Sequence, residues 1–350
     1  MIPLLKKISK PYRRWQSERL LHRLSPRIPE IVKACPQLTA IAPAEQWKIQ
    51  QVVPTLSDTQ SFVIGLDDSP VTAILQISVS QRAITSFEHQ TKVLAHLRAD
   101  PRLSDQQRLL PHLLLERNDK DCSYWIFERL PGVNALTALD QANNPDGILQ
   151  RVTEAIGVLH QRTADEITVD DRFLEQWVSA PIEVIRTSTL PYYQRQSHAF
   201  LNCLAQQLAD SLIGRTIVTS WTHGDYWPGN ILLSPEHDTV TGILDWDLAQ
   251  PDGIPSLDLV NILASALRLE KRKELGEIVI DVYKQGTWPS GKQMLWQQTT
   301  QAFAGKLPEL RDTLMIFWLW HLSANLLKSK RYSFNPIWAR YNYGYVLDHL

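Results

Sequence analysis

The sequence predicts an α+β protein in two parts, a small antiparallel sheet carrying one helix and then a larger, mainly helical part. Two patterns carry that prediction. Between about residue 50 and Glu128 the chain runs in short β-like stretches separated by turn residues, and after Leu130-Pro131-Gly132 apolar residues recur at helical spacing. With 350 residues, 44% of them hydrophobic, the chain can bury a sizeable core. We divide it into a basic N-terminal extension at 1–45, a small lobe at 46–130 and a large lobe at 131–350.

The first 28 residues carry eight Lys and Arg against the single Glu18, with Leu4, Leu5, Ile8, Trp15, Leu20, Leu21 and Leu24 interleaved. A membrane-surface arm is one reading of this stretch. A helical extension lying on the main body is the other, and Pro3 and Pro11 favour it by interrupting any amphipathic face. Next, Ser61 to Asp67 and Val71 to Ser78 flank Asp68-Ser69-Pro70 and read as a hairpin. Ser86 to Ala99 carries Phe87, Val93, Leu94 and Leu97 as a helical stripe, and His112 to Glu116 and Ser123 to Glu128 read as two further strands.

In the second part, Ile148, Val152, Ile156 and Leu159 mark a buried helix face. Helical patterns recur near 193–213, 256–285 and 308–329, and the strand-like exception runs from Ile217 to Asp245. Internal repeats, heptads and low-complexity tracts are absent from the sequence.

Composition excludes several classes of function. A net charge of −1, from 36 Lys and Arg against 37 Asp and Glu, gives no global attraction to nucleic acid. Cys35, Cys122 and Cys203 are odd in number and form no CxxC pair, which suits a reducing compartment better than a disulfide framework. Charges interrupt the N-terminal apolar residues before a signal-peptide core can form, so a cytoplasmic location is expected. The apolar run Leu314 to Leu327 is too short and too polar to span a bilayer, which takes about 20 apolar residues. No G-x-S-x-G elbow supports a Ser-His-Asp hydrolase.

The chemistry is concentrated between Ile217 and Asp247. Ile231 to Ser234 and Val240 to Leu244 are strand-like and joined by the hydrophilic turn Pro235-Glu236-His237-Asp238. That hairpin would bring Asn230, before its first strand, beside Asp245, after its second. Mg²⁺ takes hard oxygen donors, usually one or two carboxylates, and completes its shell with water and phosphates, so Asn230 and Asp245 suit it. Asp225, five residues before Asn230, is placed to accept a hydrogen bond from an incoming hydroxyl.

The run His223-Gly224-Asp225-Tyr226-Trp227-Pro228-Gly229-Asn230-Ile231-Leu232, then Ile243-Leu244-Asp245-Trp246-Asp247 and Asp258-Leu259, resembles the signature of the aminoglycoside phosphotransferases and their choline-kinase-like relatives. The likeness covers the chain from about residue 50 to the end and is strongest in this central segment. It implies a two-lobed protein-kinase-like fold. It also implies Asp225 as catalytic acid/base, Asn230 and Asp245 as magnesium ligands, His223 as a support of the catalytic loop and Asp258 as a structural aspartate. Ser57, Thr59 and Ser61 fall in the place of the nucleotide-covering loop, which here has no glycine. Phe127 to Leu130, with Glu128 and Leu130, match the hinge whose backbone would hold the base.

One departure stands out. The family's phosphate-binding lysine and its helix glutamate fall at Gln76 and Gln90. Losing both partners together avoids an unpaired buried charge. A register shifted by two would make Glu88 and Lys92 the pair instead.

The expected function is ATP- or GTP-dependent, Mg²⁺-assisted phosphoryl transfer to a small-molecule hydroxyl. The alternative is a catalytically impaired module that binds a nucleotide or a partner. No nucleic-acid partner is expected, and membrane contact through the basic N-terminus is not favoured. Asp247 and Asp252 either line the acceptor pocket or face solvent. The aromatic residues Trp318, Trp320, Tyr332, Trp338, Tyr341, Tyr343 and Tyr345 either wall that pocket or pack the core.

Overall fold

The computed structural model describes residues 24–53, 59–78, 80–118, 123–142 and 145–350. Most of the basic arm, Ser57 and Cys122 lie outside the described residues. The chain forms two compact units. One takes the chain up to Thr91 together with Pro111–Leu130, and the other takes Lys92–Leu110 and Pro131–Leu350.

The first unit is built on five antiparallel strands, β1 (Trp47–Val53), β2 (Thr59–Leu66), β3 (Thr72–Ser78), β4 (Leu113–Asn118) and β5 (Ser123–Glu128), in the order β1-β2-β3-β5-β4. The expected hairpin joins β2 to β3, and its turn takes Asp68 into the left-handed region at φ 60°. One face of the sheet buries Trp47, Phe62, Ile64, Leu75 and Ile126. A short helix, α1 (Ile28–Lys33), adds Ile28, Ile31 and Val32 to the same core. From Leu24 on, residues of the expected extension are therefore core residues of this unit. The helix α2 (Gln81–Ala99) begins here, and its Phe87 ring stacks on Trp125 at 4.4 Å between centroids.

In the second unit, helix α3 (Pro145–Arg162) buries all four residues that the helical spacing marked, Ile148, Val152, Ile156 and Leu159. Two small sheets follow the expected strand-like segment. β8 (Thr216–Thr222) pairs with β7 (Asp165–Thr168) and with β11 (Gln250–Gly253). β9 (Ile231–Leu233) pairs antiparallel with β10 (Val240–Ile243) and with the two-residue β6 (Val133–Asn134). The helical pattern at 256–285 is two helices, α4 (Pro255–Lys271) and α5 (Leu275–Gln285). Arg272 turns left-handed at φ 54° between them, and Glu274 restarts the chain with a capping box closed by Glu277.

The last long helix, α6 (Leu310–Lys328), buries Leu314 to Leu319, Leu322 and Leu326. Among the described residues no helix is long and apolar enough to cross a membrane. Trp318 and Tyr343 are fully buried and stack at 5.8 Å, so both belong to the core.

His321 of α6 lies 5.7 Å from the Phe317 ring. Burial first, and then the positive charges of Arg268 and Lys328, lower its imidazole to about 3. The unfolded chain, with an ordinary histidine near 6.5, therefore takes up a proton between pH 6.5 and about 3 that the folded chain refuses. Stability should fall as pH drops through that window, by up to about 1.4 kcal/mol per pH unit from this residue. Urea midpoints measured from pH 7 to pH 5 should fall less steeply in His321→Gln than in the wild type. Equal slopes would show that His321 does not titrate in this way.

Candidate active site

β8 delivers the chain to a sharp turn at His223-Gly224-Asp225. Gly224 sits at φ +78°, and a Cβ there would lie 2.3 Å from the Leu248 carbonyl oxygen, so only glycine fits. The turn directs two backbone N–H groups inward, and Asp258 in the first turn of α4 accepts both, from His223 at 2.7 Å and from Gly224 at 2.9 Å. His160 of α3 completes the shell, with its Nε2 3.0 Å from Asp258. His160 and His223 are buried, Gly224 is half-buried, and the Asp258 side chain is 1% exposed. A buried carboxylate is tolerable there because both oxygens are hydrogen-bonded.

His223 is fully buried, and both ring nitrogens are engaged. Nε2 lies 2.8 Å from the Leu244 carbonyl, which can only accept, so Nε2 carries the proton and Nδ1 accepts from the Asp225 N–H at 3.2 Å. The ring packs on Trp246 with centroids 4.6 Å apart. It thus ties the Asp225 turn to the end of β10. Tyr226 anchors the loop from below by donating to the Val152 carbonyl at 2.7 Å, and Trp320 of α6 donates to the Gly224 carbonyl at 3.1 Å.

The β9–β10 pairing aligns Ile231 with Ile243, and one step further the Leu244 N–H donates to the Asn230 carbonyl at 2.7 Å. Asn230 and Asp245 therefore flank the end of the hairpin, as its two strands require. The Asn230 amide nitrogen donates to the Asp225 carbonyl at 3.0 Å and faces its carboxylate at 3.4 Å, which leaves the amide oxygen free to face elsewhere. Asp245 takes a left-handed backbone at φ 65°, a conformation costly for a non-glycine residue and held here by its neighbours. Asp225 and Asn230 thus meet at one turn, and Asp245 directly follows the Leu244 that is bonded to Asn230.

Burial pushes the Asp225 carboxyl above the usual carboxylate range. Lys328 and His223 oppose this, Asp247 adds to it, and the Asn230 amide opposes it. Desolvation also raises Asp245, against the pull of Lys328 and with a push from Asp225. Lys328 itself, the last residue of α6, has its Nζ 3.7 Å from Asp225 and 3.9 Å from Asp245. Sequence reasoning missed it, as it missed His160, and it named Trp320 only as one of the aromatic residues of the tail. A lysine in the last turn of a helix reads as an ordinary complement to the helix dipole, and nothing in the spacing says what lies across from it.

The expected nucleotide residues lie in the first unit. Thr59 and Ser61 are on β2, both buried, and Ser61 pairs across the ladder with Gln76 of β3, whose amide donates to the Ser61 hydroxyl at 3.3 Å. Gln90 is 5% exposed on α2. At the expected hinge the Glu128 N–H is already donated to the His112 carbonyl at 2.8 Å. Leu130, the last residue of that unit, follows it.

The aromatic tail divides. Trp318 and Tyr343 are core, whereas Trp320 borders a recess near the turn together with Trp177, Thr222, Gly224, Gln250 and Leu257. The enclosed space is about 20 Å³, room for one water molecule. Among the described residues no group of three His, Cys, Asp or Glu gathers as a metal cage.

Among solved structures, an aminoglycoside phosphotransferase from Streptomyces rimosus is 17% identical, with 80% of this chain and 93% of that chain covered and a TM-score of 0.49. An aminoglycoside-3'-phosphotransferase of type VIII is 14% identical, with 79% and 92% covered and a TM-score of 0.48. No curated protein matches the chain significantly. The sequence model of the phosphotransferase enzyme family, APH, matches residues 48–293, more than half of the chain. The chain therefore belongs to the phosphotransferase enzyme family, and its α+β fold is the protein-kinase-like one.

Proposed function

We propose that the protein transfers the γ-phosphoryl group of ATP or GTP to a hydroxyl of a small molecule, with Asp225 as acid/base and with Asn230 and Asp245 holding Mg²⁺. The contact of Asn230 with Asp225, and the Lys328 ammonium that Asp225 and Asp245 share, carry this reading. The donor set fits the metal, since an amide oxygen and a carboxylate are hard ligands that leave room for water and phosphate oxygens. When bound, Mg²⁺ would neutralise phosphate charge and orient the γ-phosphate.

The rest falls to the side chains. Asp225 accepts a hydrogen bond from the acceptor hydroxyl, aims its oxygen at phosphorus and takes its proton as the new O–P bond forms and the bond to the β-phosphate oxygen breaks. His223 has no free nitrogen with which to move a proton, so it serves as a positioning residue. Its bonds to Leu244 and Asp225 keep the acid/base and the metal ligands in register. Thr59, Ser61, Gln76 and Gln90 would face the phosphates, and Ser57, outside the described residues, stays a sequence expectation. Because the Glu128 N–H is engaged with His112, the backbone of Leu130 is the better candidate to hold the base.

A second reading is a module that binds nucleotide without turnover. The neutral, hydrogen-bonded Gln76 favours it, since an amide cannot offset phosphate charge as an ammonium does. Calorimetric titration with Mg·ATP, followed by a phosphate-transfer screen over amino alcohols, sugars and antibiotics, separates the two. Tight binding with no transfer to any acceptor supports the module.

Replacing Asp225 with Asn should leave Mg·ATP binding intact and lower turnover about 10²-fold or more, the usual loss for a general acid/base. Wild-type turnover in that variant would remove Asp225 from the mechanism. Asp245→Ala should abolish the magnesium dependence of nucleotide binding while the thermal melt stays within a few degrees, because the Asp245 side chain is 44% exposed and packs no core. A nucleotide isotherm that still responds to magnesium would show that Asp245 is not a ligand.

A further inference from the structure

We propose that Lys328 is a catalytic residue that supplies the positive charge for the transferring phosphoryl group. The inference rests on the phosphotransferase reading above and adds a residue to it.

Three observations support it. First, the Lys328 side chain is 29% exposed, and its ammonium faces two carboxylates, Asp225 at 3.7 Å and Asp245 at 3.9 Å. A lysine stem is otherwise free to put its charge in water, and holding it in a recess costs solvation and rotamer entropy. Second, both distances exceed the 2.7 to 3.2 Å of a closed hydrogen bond, so neither carboxylate has captured the ammonium. A purely structural ion pair would close on one partner. This ammonium sits between the proposed base and the proposed metal ligand with its N–H donors available to a third, anionic group.

Third, its position is fixed by the same helix that holds the turn. Trp320 lies two turns earlier on α6, on the face that Lys328 continues, and its indole N–H is bonded to the Gly224 carbonyl beside Asp225. The helix therefore delivers a hydrogen bond to the catalytic turn and a charge to the catalytic carboxylate as one rigid piece.

The chemistry has a place for that charge. In the transfer, negative charge spreads over the three outer oxygens of the γ-phosphoryl group, and preorganised cations aimed at them lower the barrier. The residues expected to face the phosphates, Gln76 of β3 and Gln90 of α2, are neutral. Lys328 keeps its proton throughout. It donates hydrogen bonds to the γ-phosphoryl oxygens while the acceptor O–P bond forms, the bond to the β-phosphate oxygen breaks and the acceptor's proton passes to Asp225.

The test uses the full chain and needs no acceptor. Mg·ADP and Mg·ADP with aluminium fluoride, a mimic of the planar phosphoryl group, are titrated into wild type, Lys328→Met and Lys328→Arg, with thermal melts as a check on folding. We expect Lys328→Met to bind Mg·ADP within a few-fold of wild type but to lose 10²-fold or more of the extra affinity that aluminium fluoride confers. Lys328→Arg should recover at least a tenth of it. Slow hydrolysis of Mg·ATP by water should follow the same order.

Equal gain from aluminium fluoride in wild type and Lys328→Met would overturn the role. So would tighter magnesium binding in Lys328→Met with no loss of the fluoride complex, which would make Lys328 a competitor for the metal site. Should Lys328→Met fail to fold, Lys328→Arg decides alone, and a folded arginine variant with no fluoride gain counts against the proposal. Failure of the wild type itself to bind Mg·ADP would instead sink the phosphotransferase reading.

Discussion

At the end of β8 two backbone N–H groups, the one of His223 buried and the one of Gly224 half-buried, point toward the carboxylate of Asp258, which accepts both. An unpaired N–H in that place would cost about 1 to 3 kcal/mol, and an unpaired buried carboxylate considerably more. Each therefore requires the other, and His160 closes the remaining demand on the Asp258 oxygen. The consequences spread outward from this one anion. With the His223 and Gly224 N–H groups turned toward Asp258, Gly224 adopts a positive φ against the Leu248 carbonyl, and that geometry turns Asp225 toward the hairpin end. His223, fixed by the same turn, then reaches Leu244 and joins the two loops.

The second constraint is the pairing of β9 with β10. In an antiparallel pair, residues just beyond the paired ends lie side by side whatever their separation in sequence. The register of Ile231 with Ile243 therefore places Asn230 and Asp245 together, and the left-handed backbone of Asp245 bends the chain at that point. A one-residue slip would turn the buried Ile231, Leu233 and Ile243 outward, so the apolar faces of the strands guard the geometry of the polar site.

These features explain what was legible in the sequence. The hairpin, the Asp225 to Asn230 spacing and the face of α3 are written in short-range patterns, and the strands and helices they imply are present. The break at Arg272 was not legible, because a left-handed arginine followed by a glutamate cap carries no glycine or proline to announce it. The place of Leu24 to Val32 in the core of the first unit was equally hidden. A stretch rich in charge looks peripheral until the sheet it covers is known. Trp318 and Trp320 show the limit most plainly, since two tryptophans two residues apart on one helix go one into the core and one to the His223-Gly224-Asp225 turn.

Charge is distributed differently in the two units. On the sheet, Gln76 is set opposite Ser61 and beside Trp125 in the ladder, a place where a lone ammonium would lose its solvation among apolar and neutral neighbours. An amide bonded to a hydroxyl suits that environment without needing a counter-ion. In the helical unit the balance is reversed. Asp225, Asp245 and Asp247 act together on Lys328. Burial alone would lower the lysine, but these three carboxylates outweigh it and hold the ammonium above its ordinary value, with Asp245 the strongest of the three. On the proposed function, a cluster of carboxylates that accepts a metal and a polyanion cannot be neutralised permanently, because a closed ion pair would resist both. An ammonium on the end of a flexible stem, held near the carboxylates but bonded to neither, satisfies that requirement. It offsets their mutual repulsion, and in the proposed reaction it would turn toward phosphate once metal and nucleotide brought their own charges.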